Sequence, residues 1–577
     1  MKKIIKMQSV VAPVVSPTTL NEQQEAAIAN LTGRHVINSG AGTGKSTILV
    51  ERMRRICAEY PDSTVLMLSF SKDAALELKS RVGTVSGVTI STLHSLAFHI
   101  LKSSGWQFTV DSNTENQKPA ISALITGRTK TTVEEVVSSF HSIAKSNRST
   151  LRVRQKYLRQ LKESHQVTFD TLIVFALAVL KKNARLRIFW QNRYDFVQLD
   201  EVQDLDQIQA ALIELLVSKT NNLAICGDPR QQIFSFRGSA GAMERLSQNA
   251  TVHNLSINYR STPAILNLAN EVMQEYSPLI PAVNPLFSLP PTFFTARDTQ
   301  DEAKYIATEI ERLHEQGQKY KDMSIIYRSS TVAPAIVQEL LERKIPFITK
   351  SPLILKYNSR PHREVIALFK FMSDASVDNL REILPIFYLK KTRIYEIIGM
   401  MPELNCSLME ILPTLTKKAT HYSYVSELVT AVTTATEMTP AQALRHLVKH
   451  GLNKYFGDSM TLTLENVITE LQFSTIADFL NHVEEVKAQF DQMKTQAAKT
   501  DNLVTLTTIH AAKGLEWRNV FLAGCAEGVL PSNREGSDLD EEKRLTRARD
   551  RLYLSYAKFS DNSVDPNKPC RFLAGHF

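Results

Sequence analysis

Val36-Ile-Asn-Ser-Gly-Ala-Gly-Thr-Gly-Lys-Ser-Thr47 is the stretch from which the rest of the chain is read. It opens as a short apolar strand, turns through Gly40, Gly42 and Gly44, and continues as the helix Ile48-Leu-Val-Glu-Arg-Met-Arg-Arg-Ile-Cys57. Glycines let backbone N–H groups converge on phosphates, and the following helix N-terminus adds a partial positive charge. Gly40, Ala41, Gly42, Thr43, Gly44, Lys45, Ser46 and Thr47 therefore form a candidate cradle for a nucleoside triphosphate. Lys45 is placed to reach the β- and γ-phosphates, and the Ser46 hydroxyl to ligate Mg²⁺. Ser39 stands where such loops usually carry glycine or alanine.

At 577 residues the chain is too long for one core, and three or four domains are expected. Apolar residues make up 43% and charged residues 22%, the balance of a soluble globular protein. No run of apolar residues is long enough to span a membrane. The five cysteines are scattered with no Cys-x-x-Cys pair, which argues against a zinc or iron–sulfur site and against a disulfide framework. A reducing compartment follows. Residues 1–19 read as a disordered lead-in.

The net charge of +9 is unevenly spread: residues 102–165 carry eleven Lys/Arg against five Asp/Glu. Lys145 to Lys162 alone holds seven basic residues and no acid. Residues 102–166 thus read as a basic helical insertion, suited either to solvent or to a polyphosphate backbone.

Leu20 to Ile28 reads as a helix with Asn21 as its N-cap; Gln24 within it has the donor and acceptor edge to pair with adenine. Val65–Phe70 and Thr89–His94 are further strands, each followed by helical spacing. Such alternation implies a parallel sheet covered on both faces, binding ligands beyond the carboxyl ends of its strands. Phe70, Thr92 and His94 lie at such ends.

Phe196-Val-Gln-Leu-Asp-Glu-Val-Gln-Asp204 is a strand ending in paired acids. Asp200 can hold Mg²⁺ and Glu201 can orient and deprotonate the attacking water, with Gln203 and Asp204 placed to relay the state of the γ-phosphate. The strand Leu223–Asp228 runs into Pro229-Arg-Gln-Gln-Ile-Phe-Ser-Phe-Arg-Gly238. There Gln231 is a candidate γ-phosphate sensor, and Phe234 and Phe236 are candidate base-stacking platforms. In Leu255-Ser-Ile-Asn-Tyr-Arg-Ser-Thr-Pro263, Thr262 and Pro263 start a helix, Arg260 is a candidate phosphate contact, and Tyr259 can stack on adenine.

Leu-Asn-Glu-Gln-Gln, Gly-Ala-Gly-Thr-Gly-Lys-Ser, Thr-Leu-His-Ser-Leu-Ala, Leu-Asp-Glu-Val-Gln-Asp, Gly-Asp-Pro-Arg-Gln-Gln and Asn-Tyr-Arg-Ser-Thr resemble, in order, the motif set of the UvrD/Rep/PcrA helicases of superfamily 1. Thr508-Ile-His-Ala-Ala-Lys-Gly-Leu-Glu-Trp517 and Thr546-Arg-Ala548 resemble its last two motifs. The resemblance implies an α/β fold of two RecA-like P-loop motor domains with parallel sheets, each carrying a helical insertion. The first would comprise 20–101 and 167–262, interrupted by 102–166. The second would comprise 263–374 and 499–577, interrupted by helices over 375–498. The family uses ATP and Mg²⁺ to move 3′ to 5′ along single-stranded DNA and to open tailed duplexes, here in the cytoplasm of a bacterial or phage-infected cell.

The same resemblance places Thr508 and His510 on DNA, and Gly514 and Glu516 on the nucleotide with Glu516 at the ribose. It makes Arg547 the arginine finger. Trp517 is read as core. Two departures stand out. Lys72-Asp73 replaces the family's Asn-Lys. The run Asp540-Glu-Glu-Lys-Arg-Leu-Thr-Arg-Ala548 also lacks an aromatic-apolar step of about five residues, a rotation of about 140° if helical. Arg544, Arg549 and Arg551 lie close enough to Arg547 to compete for its role.

Overall fold

The computed structural model describes residues 20–111, 117–125, 130–142, 146–228, 242–273, 278–282, 288–329, 331–349, 357, 360–387, 389, 412, 422–453, 472–497, 500–512, 514–530, 547–559 and 566–577. They fall into two compact units, one running to Ser288 and the other beginning at Leu289. Gln231, Phe234, Phe236, Arg544 and the lead-in 1–19 lie outside the described residues.

The strands of unit 1 are β1 (Arg34–Ser39), β2 (Val65–Ser69), β3 (Val88–Thr92), β4 (Thr109–Asp111), β5 (Gln166–Thr168), β6 (Phe196–Leu199), β7 (Leu223–Gly227), β8 (Thr251–Leu255), β9 (Ile257–Asn258) and β10 (Ile280–Pro281). Six of them form a wholly parallel sheet in the order β3-β2-β6-β7-β1-β8. Every residue of β2, β6 and β7 is buried, as expected of central strands covered by helices on both sides. Period-two alternation divides the core. Ile37, Val65 and Met67 pack with Ile48, Met53 and Ile56 on one face; Val36, Leu66 and Leu68 pack with Leu96, Ile100 and Leu172 on the other. Because the strands are parallel, Ser39, Phe70, Thr92, Asp200 and Asp228 all emerge at one edge.

The basic insertion is not a separate body. Its Ile121, Val136, Phe140, Val153, Tyr157 and Leu161 belong to the same core as Leu96 and Ile100 of the sheet layer. Its ends are joined by β4 and β5, which pair in parallel with Thr109 opposite Gln166. No strand signal is legible there, because three residues are too few to show alternation. The helix Arg148–Glu163 buries Thr150, Val153, Tyr157 and Leu161, and carries exposed Arg148, Arg152, Lys156 and Arg159 on the other side.

The boundary between the halves also differs from the expected 262/263. The helix Pro263–Val272 stays with unit 1 because β9 pairs with β10, Ala282 N–H donates to Asn258 O at 2.8 Å, and Ala264 N–H donates to Ser288 Oγ at 2.9 Å.

Unit 2 holds β11 (Thr292–Asp298), β12 (Met323–Tyr327), β13 (Phe347–Thr349), β14 (Val504–Thr508), β15 (Trp517–Ala523) and β16 (Ala548–Phe559). They form a second all-parallel sheet, β11-β16-β15-β12-β14-β13. Trp517 is buried, as its core reading required. The second helical cluster has its own core, in which Phe369, Leu380, Phe387, Val432 and Leu444 meet. It begins with the helix Arg360–Ser373 rather than at 375, since Val365, Leu368 and Phe369 of that helix lie in this core. The helix Ile476–Ala497 contributes Phe479 and Val483 to the cluster and Phe490 to the core under the sheet.

Candidate nucleotide-binding site

The glycine loop adopts a conformation only glycine takes without strain. Gly42 and Gly44 have φ of +70° and +90°. A Cβ on Gly42 would lie 2.6 Å from Arg260 Cβ and from Asn258 Nδ2; one on Gly44 would lie 2.9 Å from Gln24 Nε2. Side chains from distant segments hold the loop carbonyls. Asn258 Nδ2 donates to Ala41 O at 2.6 Å, and Gln24 Nε2 to Thr43 O at 3.0 Å. Tyr259 N–H donates to Gly42 O at 2.8 Å. Ser39, the unusual residue, is fully buried with its hydroxyl 2.6 Å from that of Thr43.

The helix Lys45–Glu59 starts with no capping side chain and no acid in its first turn. Its leading N–H groups and positive dipole end, which include Lys45, Ser46 and Thr47, suit an anion.

Lys45 Nζ lies 3.3 Å from Glu201 Oε1. Burial acts to strip the ammonium of its proton, but the carboxylates of Glu201, Asp228 and Asp200 outweigh it and hold Lys45 above the ordinary lysine range. Three carboxylates gathered beside the phosphate cradle suit a divalent cation. No group of three or more His, Cys, Asp or Glu among the described residues forms a cage on its own. Ser46 and Asp200 are the residues here that could hold a divalent cation.

The acids are fixed by their backbone. Glu201 follows β6 with φ +55°, a strained conformation for a non-glycine residue. Gln203 bridges two strand ends: its Nε2 donates to Glu201 Oε2 at 2.5 Å and its Oε1 accepts from Asp228 N–H at 3.2 Å. Asp228, 2% exposed, was not anticipated as a site residue. Its signal was present, because an acid directly after a buried strand occupies the same edge as Asp200. Asn258 was also missed, although it opens the Asn-Tyr-Arg-Ser-Thr motif.

Gln24, expected to pair with adenine, sits against the glycine loop. It is 4% exposed, and both ends of its amide are bonded within the protein. Oε1 accepts from Asn21 N–H at 3.1 Å in a capping box, while Nε2 holds Thr43 O. Tyr259 is 53% exposed beside the loop, its hydroxyl 2.6 Å from Asn21 Nδ2. Arg260 is half-buried next to Gly42.

Residues 20–150 and 117–249 match the UvrD/REP helicase N-terminal domain, and residues 253–376 and 417–559 match the UvrD-like helicase C-terminal domain. The chain belongs to the UvrD/Rep helicase family. It is 26% identical to a probable DNA helicase II homolog of Mycoplasma capricolum, over 96% of this chain and 87% of that protein. It is 25% identical to the ATP-dependent DNA helicase PcrA of Staphylococcus aureus, over 96% and 86%, and 25% identical to the putative ATP-dependent DNA helicase YjcD of Bacillus subtilis, over 93% and 78%.

In this UvrD/Rep-family chain, Phe70 and Thr92 end neighbouring strands, with Ser69 and Thr92 in register. The Thr92 hydroxyl caps the helix Leu93–Ser103 by accepting from Ser95 N–H at 3.2 Å. The His94 ring stands edge-on to Phe169 at 5.8 Å, and Phe169, 42% exposed, adds an aromatic that sequence reasoning did not single out.

Unit 2 of the helicase separates its candidates between two edges of one sheet. Thr508 ends β14, with His510 just beyond it. Gly514 and Glu516 lead into the start of β15, and Arg547 directly precedes β16. Trp517 and Ala548 pair in register, so Glu516 and Arg547 share the amino edge, opposite the carboxyl edge expected for ligand contacts. Glu516 Oε1 is 3.7 Å from Arg549 Nη1, and a cavity of about 240 Å³ opens beside it, lined in part by Thr505, Thr507 and Trp517. Arg547 is 8% exposed. Among the described residues no helix is long and apolar enough to cross a membrane.

Proposed function

We propose that this chain hydrolyses ATP with Mg²⁺ and uses the cycle to move 3′ to 5′ along single-stranded DNA in the cytoplasm, displacing the second strand of a tailed duplex. The observation that carries the reading is the cluster at the carboxyl edge of the first sheet, where Lys45 sits among Glu201, Asp200 and Asp228 beneath an uncapped helix start. On this reading the glycine loop and Lys45 take the triphosphate, displacing the Lys45–Glu201 pair. Freed from the ammonium, Glu201 accepts the proton of the attacking water. Ser46 and Asp200 would hold Mg²⁺, which would supply positive charge against the phosphates. Arg260 and Gln231 touch the γ-phosphate, and Tyr259 stacks on the base. Glu516 and Gly514 contact the nucleotide, and Arg547 supplies the cation that stabilises charge in the transition state.

Phe70, Thr92, His94, Phe234, Phe236, Thr508 and His510 are the proposed contacts to single-stranded DNA, through stacking and polar groups. The exposed basic row on the helix Arg148–Glu163 suits phosphates of the same substrate.

The test is strand displacement with ATP on duplexes carrying either a 3′ or a 5′ single-stranded tail. Displacement of the 3′-tailed duplex alone is expected. Equal displacement of both would overturn the polarity. DNA-stimulated hydrolysis without displacement would reassign the chain as a translocase that does not unwind.

A further inference from the structure

The basic insertion meets the segment carrying Glu201 around His141. His141 follows the helix Val133–Ser138 of the insertion, and its side chain is 13% exposed. Its Nδ1 lies 2.8 Å from Asp206 Oδ2 and its Nε2 3.5 Å from Asp170 Oδ1. The backbone joins the same contact, since Gln207 N–H donates to His141 O at 3.1 Å and Ser142 Oγ donates to Gln207 Oε1 at 3.2 Å. A second residue of the insertion, Gln117, donates to the other oxygen of Asp170 at 3.0 Å.

Asp206 is no ordinary surface acid. It caps the helix Gln207–Val217, accepting from Gln209 N–H at 2.7 Å. Between it and Glu201 lie the tight turn Val202–Asp204 and Leu205, closed by Asp204 N–H to Glu201 O at 3.1 Å and Leu205 N–H to Val202 O at 3.2 Å. That turn holds Glu201 in its left-handed conformation and places Gln203 against it. A displacement of the insertion at His141 therefore pulls on a short, internally bonded segment that ends at the catalytic carboxylate.

We propose that His141 is a positioning residue that couples nucleic-acid engagement by the basic insertion to the geometry of Glu201. The coupling rests on the ATP-hydrolysing reading above and adds to it a route by which bound nucleic acid speeds hydrolysis.

The charge state supports the geometry. Burial works against protonation, but the bonds to Asp170 and Asp206 and their charges raise His141 to about 9. Asp206 faces it from the helix Gln207–Val217 and Asp170 from the helix Phe169–Lys182. From the helix Arg148–Glu163, Tyr157 lies near Asp170, its hydroxyl pushed up to about 12 by burial and by the charges of Asp111 and Asp170, and Arg154 stands over the Phe140 ring at 5.7 Å. At neutral pH the contact is thus an imidazolium between two carboxylates.

The experiment measures ATP turnover of the full chain and of His141→Asn, with and without a single-stranded DNA oligonucleotide. DNA-stimulated turnover of the variant is expected to fall about tenfold, a common size for coupling between sites. Turnover without DNA, KM for ATP and the oligonucleotide concentration giving half-stimulation are expected to stay at parental values. The parental stimulation should decline from about pH 7 to about pH 10, as an imidazole held near 9 loses its proton, and the variant's should not. Full stimulation in the variant overturns the coupling. A higher half-stimulating concentration alone also overturns it, marking His141 as a DNA contact, and loss of basal turnover with stimulation overturns it in favour of a folding role. If His141→Asn does not fold, the parental pH profile decides by itself, a flat ratio of stimulated to basal turnover refuting the proposal. A parental chain with no ATP turnover at all removes the function proposed above, a result distinct from each of these.

Discussion

Asn258 offers the sharpest test of how the glycine loop is built. It is 1% exposed, and its side chain makes three bonds: Nδ2 to Ala41 O at 2.6 Å, and Oδ1 from the N–H groups of Arg260 and Ser261, each at 2.8 Å. In Asn258→Ala all three backbone groups lose that partner. Ala41 and Ser261 are buried, so each is charged the desolvation penalty of an unmet polar group, ~1–3 kcal/mol. Arg260 is only half-buried, and water can reach its N–H. The local cost is then about 2–6 kcal/mol, which the loop relieves by shifting its carbonyls away from the geometry the phosphates require. If about 1.4–2.8 kcal/mol of that is felt on nucleotide binding, KM for ATP rises ~10–100-fold. Asn258→Asp keeps both acceptor bonds but sets a carboxylate oxygen against Ala41 O, so it should melt closer to the parent while binding ATP just as poorly. The measurements are thermal melting and steady-state hydrolysis over a range of ATP. An Asn258→Ala chain with parental melting and parental KM would show that the loop supports itself, and the reasoning would fail.

Lys45→Ala should leave a folded chain with no DNA-stimulated ATP hydrolysis; undiminished turnover would reject the site. Arg547→Ala should bind ATP normally, by equilibrium titration, yet turn it over ~10³-fold more slowly, the usual scale for an arginine finger. A parental rate would hand the role to Arg549 or Arg551. His141 also links stability to pH. A histidine raised from 6.5 to about 9 on folding stabilises fully below 6.5 and loses that contribution as the pH climbs through 9. Denaturant titrations at about pH 6 and about pH 10 should differ by about 3 kcal/mol more in the parent than in His141→Asn. Gly42→Ala should impair ATP binding, since its Cβ would press on the Arg260 and Asn258 side chains at a positive φ; parental affinity would argue against that packing.

Much of the site was legible because its chemistry follows the chain locally. A buried strand that stops in glycines and a lysine, or in two acids, places those groups at a sheet edge whatever else the fold does. Hence Lys45, Ser46, Asp200 and Glu201 were found together, with Tyr259 and Arg260 beside the loop. The alternation of apolar strands and helices fixed two parallel α/β sheets for the same reason.

What the tertiary structure decided was where each polar group finds its partner. Gln24 has the edge to read a base, and folding sets its amide against the loop carbonyl Thr43 O. Asn258 and Asp228 gained their places through parallel strand neighbours far away in sequence, which no local period records. The basic insertion stood apart by composition, yet its apolar residues joined the core of the sheet's helical layer. Charge and hydropathy say which groups must be covered or paired. Only long-range packing chooses with what.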